Sequence, residues 1–200
     1  MTPQHSRLLV VLGAFAAGLL LCFGAITLAV GGLNFSGGAL RTAQIGGPFR
    51  LIDQNGKAVT DQDFRGKPFL VFFGFTHCPD VCPTTLFDMS EVMKSLGPDA
   101  ERVGALFITV DPQRDTAAAL KDYLSNFDPH VEGLTGDAAA LAAVAKEYRV
   151  YYKKVPLEGG DYTMDHTAIV YLMDKEGHFV SPFSLKRKPE ASATELRKYL

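Results

Sequence analysis

The feature that most constrains this chain is a run of 26 residues, 8–33, that contains no charged side chain. As an α-helix the run would extend for about 39 Å, more than the hydrocarbon core of a bilayer, which is about 30 Å thick. The apolar segment of a cleavable signal peptide is shorter, about 7–15 residues. We therefore expect residues 1–33 to form an N-terminal tail and a single, uncleaved transmembrane helix.

The charged residues are divided unequally by this run. Arg7 is the only lysine or arginine before residue 41, and every aspartate and glutamate follows residue 40. Because positively charged flanks tend to stay in the cytoplasm, the N-terminus is expected on the cytoplasmic side and the rest of the chain on the exported side. This pattern predicts a single-pass membrane protein with an exported soluble domain. We expect the membrane to be a bacterial inner membrane, with this domain on its periplasmic side.

The chain after the apolar run has the composition of one globular domain. Residues 34–46 are rich in glycine, serine and alanine and indicate a linker, and residues 47–200 are long enough for one hydrophobic core. Beyond residue 40 the chain carries 19 basic and 22 acidic residues, and this near-neutral balance excludes a basic nucleic-acid-binding protein. Three cysteines are too few for a fold held together by disulfides.

Hydrophobic periodicity predicts an α/β fold for residues 47–200. Strands are expected on both sides of the Asn55-Gly56 turn, at 68–75, at 103–110, and as a hairpin at 167–173 and 179–183. Helices are expected from Pro83 to Gly97, at 116–127, at 137–148 with Asp137 as N-cap, and at 189–200. Strand–helix–strand units followed by a late hairpin indicate a mixed sheet, and a thioredoxin-like sandwich is the simplest fold with this order.

Two cysteines lie between a predicted strand and the following predicted helix. Cys78 and Cys82 are separated by three residues, and a proline follows each of them, which disfavours a helical conformation at both cysteines. Pro83 fits the first position of the helix and makes Cys82 its approximate N-cap, where the helix dipole favours a thiolate. In an exported domain such a pair is redox-active, disulfide-bonded or metal-bound.

Two features help to decide between these three chemistries: the spacing of the two cysteines, and a histidine that lies far along the chain. Thioredoxin-type oxidoreductases separate their cysteines by two residues and place a proline opposite them, whereas residues 161–170, DYTMDHTAIV, hold His166 and no proline. Two thiolates and one imidazole form a ligand set that suits Cu(I) and tolerates Cu(II), while zinc usually takes a fourth ligand. A thioredoxin-like fold would bring His166 to Cys78 and Cys82 and complete a three-ligand set.

Other potential ligands near the pair are weaker candidates. The side chain of His77 is expected to point away from that of Cys78, because neighbouring residues of an extended chain face opposite sides. Met89 and Met93 are in register with the apolar face of their predicted helix and are expected in the core. Met164 and Asp165 are candidates for contacts that support the imidazole of the neighbouring histidine.

On these residues the chain resembles the Sco/SenC family of membrane-anchored copper proteins. GFTHCPDVCP, residues 74–83, is similar to the metal-binding motif of that family, and four further blocks follow in the same order: VDPQRDT at 110–116, LTG at 134–136, YRVYY at 148–152 and DHTAIVYLMD at 165–174. The similarity spans residues 45–200, with the apolar run before it. The resemblance implies copper ligation by Cys78, Cys82 and His166, a thioredoxin-like fold, and a role in the assembly of cytochrome c oxidase.

Two functions of different classes remain in competition. The first is a copper metallochaperone that receives copper from an upstream donor and helps to furnish the binuclear copper centre of cytochrome c oxidase subunit II, without turnover of a small substrate. The second is an enzyme, a thiol–disulfide oxidoreductase that keeps the copper-ligand cysteines of that subunit reduced. His166 favours the first, because a metal site needs an imidazole and dithiol exchange does not. A peroxiredoxin-like peroxidase is disfavoured, since Phe75 stands where those enzymes have a threonine or serine.

Overall fold

Residues 45–200 form nine strands and four α-helices in the computed structural model, which describes residues 18–22 and 45–200. The strands are β1 Arg50–Asp53, β2 Ala58–Thr60, β3 Phe69–Gly74, β4 Gly104–Thr109, β5 Val131–Thr135, β6 Tyr152–Pro156, β7 Tyr162–His166, β8 Val170–Met173 and β9 Phe179–Pro182. The α-helices are α1 Val81–Leu96, α2 Ala117–Leu124, α3 Ala138–Glu147 and α4 Pro189–Leu196.

Seven of the strands form one mixed sheet in the order β2-β1-β5-β4-β3-β8-β9. Strands β3, β4 and β5 run parallel at its centre, while β1 pairs antiparallel with β5 and β8 pairs antiparallel with β3. Every residue of β3 and β4 is buried, as expected for continuous apolar runs in a parallel core. Helix α1 packs against α4, and α2 packs against β5. The predicted α/β architecture with a mixed sheet is therefore confirmed.

The loops that build the site meet at one edge of this sheet. Because β3 and β4 are parallel, the loop after Gly74 and the loop after Thr109 leave from the same edge. Strand β8 is antiparallel to β3, and Val170 at its start pairs with Phe72 near the end of β3. The chain that precedes β8 therefore arrives at that edge as well, and it brings His166 to the loop that holds the two cysteines.

Three strands, β5, β6 and β7, are absent from the sequence-based prediction. In β5, VEGLT, a glutamate and a glycine interrupt the apolar pattern, although four of its five residues are buried. Strands β6 and β7 form a separate two-stranded antiparallel sheet, in which Tyr152 pairs with His166. Neither strand contains a fully buried residue, so no alternation of apolar and polar side chains marks them in the sequence.

The predicted turn and cap residues behave as expected elsewhere in the domain. The carboxylate of Asp137 accepts a hydrogen bond from the N–H of Ala140 at 2.7 Å and caps α3. Gly56, in the turn between β1 and β2, has a φ of +83°, which a residue without Cβ adopts freely. Met89 and Met93 are fully buried on α1, as their spacing predicted.

The N-terminal segment is described only at residues 18–22, which are helical. The rest of the predicted anchor at 8–33, and the predicted linker up to residue 44, lie outside the described residues. Among the residues that are described, no helix is both long enough and apolar enough to cross a membrane. Residues 45–200 belong to a compact unit of their own.

Arg149 ends α3 in a backbone conformation that favours glycine. Its φ is +56°, and the N–H groups of Arg149 and Val150 donate to the carbonyls of Lys146 and Ala145, the Schellman pattern of a helix end. We expect R149G to raise the free energy of unfolding by about 1 kcal/mol, because the contact between Cβ and the backbone disappears. Denaturant unfolding measures this gain. Arg149→Ala keeps Cβ and is the control; an equal gain in that variant would assign the effect to the arginine side chain instead.

Candidate metal centre

Cys78 and Cys82 lie on either side of the start of α1. Cys78 is half-buried in the loop after β3, and Cys82 is fully buried as the second residue of the helix. Both are free thiols. The backbone N–H of Cys82 donates to Sγ of Cys78 over 3.4 Å, while the side chain of Asp80, the N-cap residue, makes no capping hydrogen bond. The sulfur of Cys78 thus acts as the cap of α1.

The conformation and the protonation state predicted for Cys82 are wrong. The helix begins at Val81 and not at Pro83, so Cys82 lies inside its first turn and Asp80 is the N-cap. Burial raises the pKa of the Cys82 thiol, and a backbone hydrogen bond from Phe75 opposes this only in part. Desolvation of the sulfur therefore favours the protonated thiol, and a metal that binds Cys82 must displace its proton.

His166, the last residue of β7, reaches the buried cysteine. Its Nε2 lies 3.7 Å from Sγ of Cys82. Its Nδ1 lies 3.1 Å from the carbonyl oxygen of Thr167, which can only accept, so the proton is assigned to Nδ1. Burial lowers the pKa of His166, and the imidazole is therefore neutral at neutral pH. The free lone pair of Nε2 is thus available at the atom that faces the sulfur.

Apolar side chains surround this pair of atoms. The ring centroids of Phe75 and Phe72 lie 5.8 and 6.3 Å from that of His166, both in edge-to-face orientation. Gly74 leaves the space that the sulfur fills, because a Cβ at this position would lie 2.9 Å from Sγ of Cys82 and 2.5 Å from the ring of Phe107. The sulfur and the imidazole therefore meet inside packed aromatic surroundings that fix both of them.

The third predicted ligand, Cys78, lies farther from at least one of the other two than those two lie from each other. Sγ of Cys78 is not within 4.8 Å of both Sγ of Cys82 and Nε2 of His166. Among the described residues, the set of three potential ligand atoms that meets this distance lies in the turn between β8 and β9: Asp174, Glu176 and His178. The sulfur of Cys78 therefore has to move closer to the other two atoms before the three ligands can share one ion.

A buried carboxylate that the sequence analysis did not single out connects the cysteine loop to β4. Asp115 is fully buried and accepts hydrogen bonds from the N–H and hydroxyl of Thr76, at 3.0 and 2.6 Å, and from the hydroxyl of Thr109 at 2.6 Å. Thr76 lies two residues before Cys78, so these bonds fix the start of the loop. The only signal in the sequence was the place of Asp115 shortly after a buried strand, within the VDPQRDT block.

The remaining candidates support the site or lie beside it. His77 is exposed, and its Nδ1 lies 3.0 Å from the hydroxyl of Thr76. Asp165 is exposed and makes no hydrogen bond to the imidazole of His166 within the described part of the chain, where the carbonyl of Thr167 orients that ring instead. Met164 is partly buried against the core.

We expect Asp115→Ala to lower the free energy of unfolding by about 3 kcal/mol or more, because three donors lose their acceptor in a buried place. Thermal or denaturant unfolding measures this loss. Asp122→Ala, the same substitution at an exposed position of α2, is the control and is expected to change stability by less than about 0.5 kcal/mol. A similar loss in both variants would show that the three hydrogen bonds of Asp115 contribute little.

Comparison with known proteins identifies relatives of this chain. The SCO1/SenC family model matches residues 37–200. The bovine mitochondrial protein SCO2 homolog is 43% identical over 166 residues, which are 81% of this chain and 62% of the bovine protein. The chain thus spans less than two thirds of the length of that relative.

Solved structures extend the similarity to the fold. Copper-bound ScoI from Bradyrhizobium japonicum is 65% identical, with a TM-score of 0.77, and the match covers 78% of this chain and 99% of that one. Copper-bound yeast Sco1 is 37% identical, with a TM-score of 0.71, over 78% of this chain and 88% of that one. The predicted thioredoxin-like fold is confirmed. From the family model and from these identities, the chain belongs to the SCO1/SenC family.

Proposed function

We propose that this protein is a copper metallochaperone that holds one copper ion through Cys78, Cys82 and His166. The observation that carries the proposal is the 3.7 Å approach of Nε2 of His166 to Sγ of Cys82, two atoms from residues 84 positions apart. Metal bonds to imidazole and thiolate are about 2.0 and 2.3 Å long in zinc sites, so one ion of similar size can contact both atoms at this separation. The copper-bound structures of ScoI and yeast Sco1 support the choice of metal.

The donor set suits copper as a cargo that is bound and released. Thiolates and neutral imidazole are soft and borderline ligands that suit Cu(I) and also accept Cu(II), whereas a structural zinc site takes four ligands. Cys82 and His166 are held by packing, while Cys78 lies in a loop and is half-buried. An incoming thiolate of an acceptor protein can therefore replace Cys78 first, and the ion can pass by stepwise ligand exchange.

We infer that the acceptor is the binuclear copper centre of cytochrome c oxidase subunit II and that an upstream copper donor loads this protein. The resemblance of the motifs to the Sco/SenC family supports this acceptor, and membership of the SCO1/SenC family agrees with it. Such an acceptor offers thiolates of its own, which is the chemistry that ligand exchange at Cys78 requires.

Copper transfer to an acceptor with reduced thiols tests this function. Protein loaded with Cu(I) is mixed with the copper-free soluble domain of a subunit II whose cysteines are reduced, and the copper content of both proteins is measured after separation. We expect transfer without any change in the thiol count of the acceptor. Protein loaded with copper that transfers none under these conditions would contradict the chaperone function.

A thiol–disulfide oxidoreductase is the second candidate, and the pair of free thiols in one loop favours it. In this case the reduced protein would lose two electrons and two protons as its thiols form a disulfide, and the disulfide of the acceptor would gain them. Mixing the copper-free reduced protein with an oxidised acceptor and counting thiols on both partners tests this exchange. Reduction of the acceptor together with absent copper transfer would favour the enzyme over the chaperone.

We propose that the protein is anchored in a bacterial inner membrane through residues 8–33, with residues 47–200 on the periplasmic side. The uncharged run and the position of Arg7 support this topology. A reporter that is active only after export, fused after residue 45, is expected to be active and to stay with the membrane fraction. A soluble mature protein that begins near residue 30–40 would identify the run as a cleaved signal instead.

A further inference from the structure

The hairpin that carries His166 is not part of the main sheet. Strands β6 and β7 pair only with each other in the described structure, and none of their residues is fully buried. A two-stranded hairpin without a buried face has little stability of its own. Contacts with the rest of the domain must therefore decide where the hairpin, and with it the imidazole, is placed.

Arg114, in the loop between β4 and α2, makes several of these contacts. Its Nη1 donates to the carbonyl of Tyr162 at 3.0 Å and lies 3.3 Å from a carboxylate oxygen of Asp161, both at the start of β7. Its Nε donates to the carboxylate of Asp111 at 2.5 Å. The guanidinium thus connects the backbone of the hairpin to the edge of the sheet where β4 ends.

The ring of Tyr162 completes the connection. The guanidinium carbon of Arg114 lies 3.7 Å from the ring centroid and Nζ of Lys154 lies 3.5 Å from it. Two cations cannot share one face at these distances, so the ring is held between them. The hydroxyl of Tyr162 donates to the other oxygen of Asp111 at 2.9 Å. Arg114 and Tyr162 therefore both donate hydrogen bonds to the buried carboxylate of Asp111. We call Arg114 and Tyr162 the latch.

The latch is close to the imidazole. The guanidinium carbon of Arg114 lies 6.0 Å from the ring of Phe75, and that ring is the one in edge contact with His166. Nη2 of Arg114 is buried and finds no hydrogen-bond partner among the described residues. A buried donor without an acceptor costs free energy, which offsets part of what the other contacts contribute.

We propose that Arg114 and Tyr162 are positioning residues that hold the β6–β7 hairpin closed and thereby keep Nε2 of His166 at the sulfur of Cys82. While the latch is closed the imidazole stays at this sulfur; opening it withdraws the imidazole and leaves the two cysteines alone to hold the ion. This inference rests on the proposed role of His166 as a ligand. It assigns the control of that ligand to two side chains that do not touch the ion.

The reactivity of Cys82 reports on the closed position without any metal, because Nε2 of His166 contacts its sulfur. Copper-free, reduced full-length protein in detergent is treated with iodoacetamide, and mass spectrometry follows alkylation of each cysteine, with a soluble cysteine-containing peptide added to the same reaction as reference. We expect Arg114→Ala to raise the rate at Cys82 relative to this reference by about tenfold. Arg102→Ala removes an exposed arginine outside the latch and should leave the ratio unchanged.

A second control distinguishes opening of the latch from a general loss of stability. Leu196→Ala removes a buried side chain from α4 and weakens the core without touching the latch. At equal loss of unfolding free energy, Arg114→Ala should expose Cys82 more than Leu196→Ala does. An unchanged ratio in Arg114→Ala, or the same increase in both variants, would overturn the latch.

Copper affinity then shows whether the latch acts through the imidazole. We expect Arg114→Ala to weaken Cu(I) binding about 10- to 100-fold in the wild-type background and to cause no further loss in a His166→Ala background. Arg114→Lys keeps the cation but not the planar fork, and is expected to recover part of the affinity. Equal losses in both backgrounds would overturn the proposal. If His166→Ala alone binds Cu(I) as tightly as wild type, the ligand assignment fails, and the alkylation ratio by itself decides whether the latch exists.

Discussion

Replacing Cys82 by serine is expected to weaken Cu(I) binding by the reduced protein more than 100-fold, beyond the range of changes at residues that only support ligands. A hydroxyl is a harder donor than a thiolate and keeps its proton at neutral pH, so one of three strong ligands is lost. Cys78→Ser is expected to have a similar effect, since the same thiolate chemistry is removed. Competition with a Cu(I) chelator of known affinity measures both losses.

Cys22→Ser is the matched control for this series, because it removes a thiol outside residues 45–200. Its affinity for Cu(I) is expected to equal that of wild type. His166→Ala should weaken binding but keep the stoichiometry of one ion, because two thiolates remain. Wild-type affinity in His166→Ala would remove the imidazole from the ligand set, and wild-type affinity in either serine variant at residues 78 or 82 would refute the site itself.

The central strands and the helix between them could be predicted because their own residues show the expected pattern of apolar side chains. Strands β3 and β4 are continuous apolar runs, and the helix between them has apolar residues at helical spacing. The residues of the β6–β7 hairpin show no such pattern. Its residues are stabilised by contacts with Arg114, which is 48 positions away from Tyr162, and a local pattern cannot show contacts of this kind.

The chemistry of the site was predictable in its residue types but not in its protonation. Cysteine and histidine indicate copper through their donor atoms, whatever their surroundings. The pKa of Cys82 is raised mainly by burial of its sulfur, against which Gly74 and the imidazole of His166 lie. Of these, the imidazole arrives from a distant segment. The local sequence showed the helix start, which favours a thiolate, but not the burial that raises the pKa.

Asp115, which holds the start of the cysteine loop, could not be predicted from its local sequence either. A single aspartate after a strand is common, and only the parallel pairing of β3 with β4 places it against Thr76. The cysteine loop is thus fixed by a carboxylate 39 positions further along the chain. Supporting residues of this kind can be identified once the strand order is known, because the order determines which loops lie at the same edge of the sheet.

Oxidation of the cysteine pair is expected to abolish tight binding of Cu(I). Residues four apart in a regular helix have Cβ atoms about 5–6 Å apart, more than the 3.5–4.5 Å of a disulfide. Cys78 precedes α1 and only Cys82 lies in it, so the pair is not held at the helical spacing. A movement of the Cys78 side chain within this loop can bring its sulfur to that of Cys82. Once the disulfide forms, neither sulfur is a thiolate, and His166 is left as the only one of the three ligands.

Diamide oxidises the two thiols by accepting two electrons and two protons, and the loss of free thiols confirms that the disulfide has formed. Cu(I) is then titrated in the absence of reductant, and the sample is titrated again after reduction and removal of the reductant. We expect no tight binding in the first titration and one ion per chain in the second. Cys22→Ser treated in the same way should behave identically, which excludes a mixed disulfide with the third cysteine. Stoichiometric tight binding by the oxidised protein would refute this redox gate, because it would require ligands other than the two sulfurs.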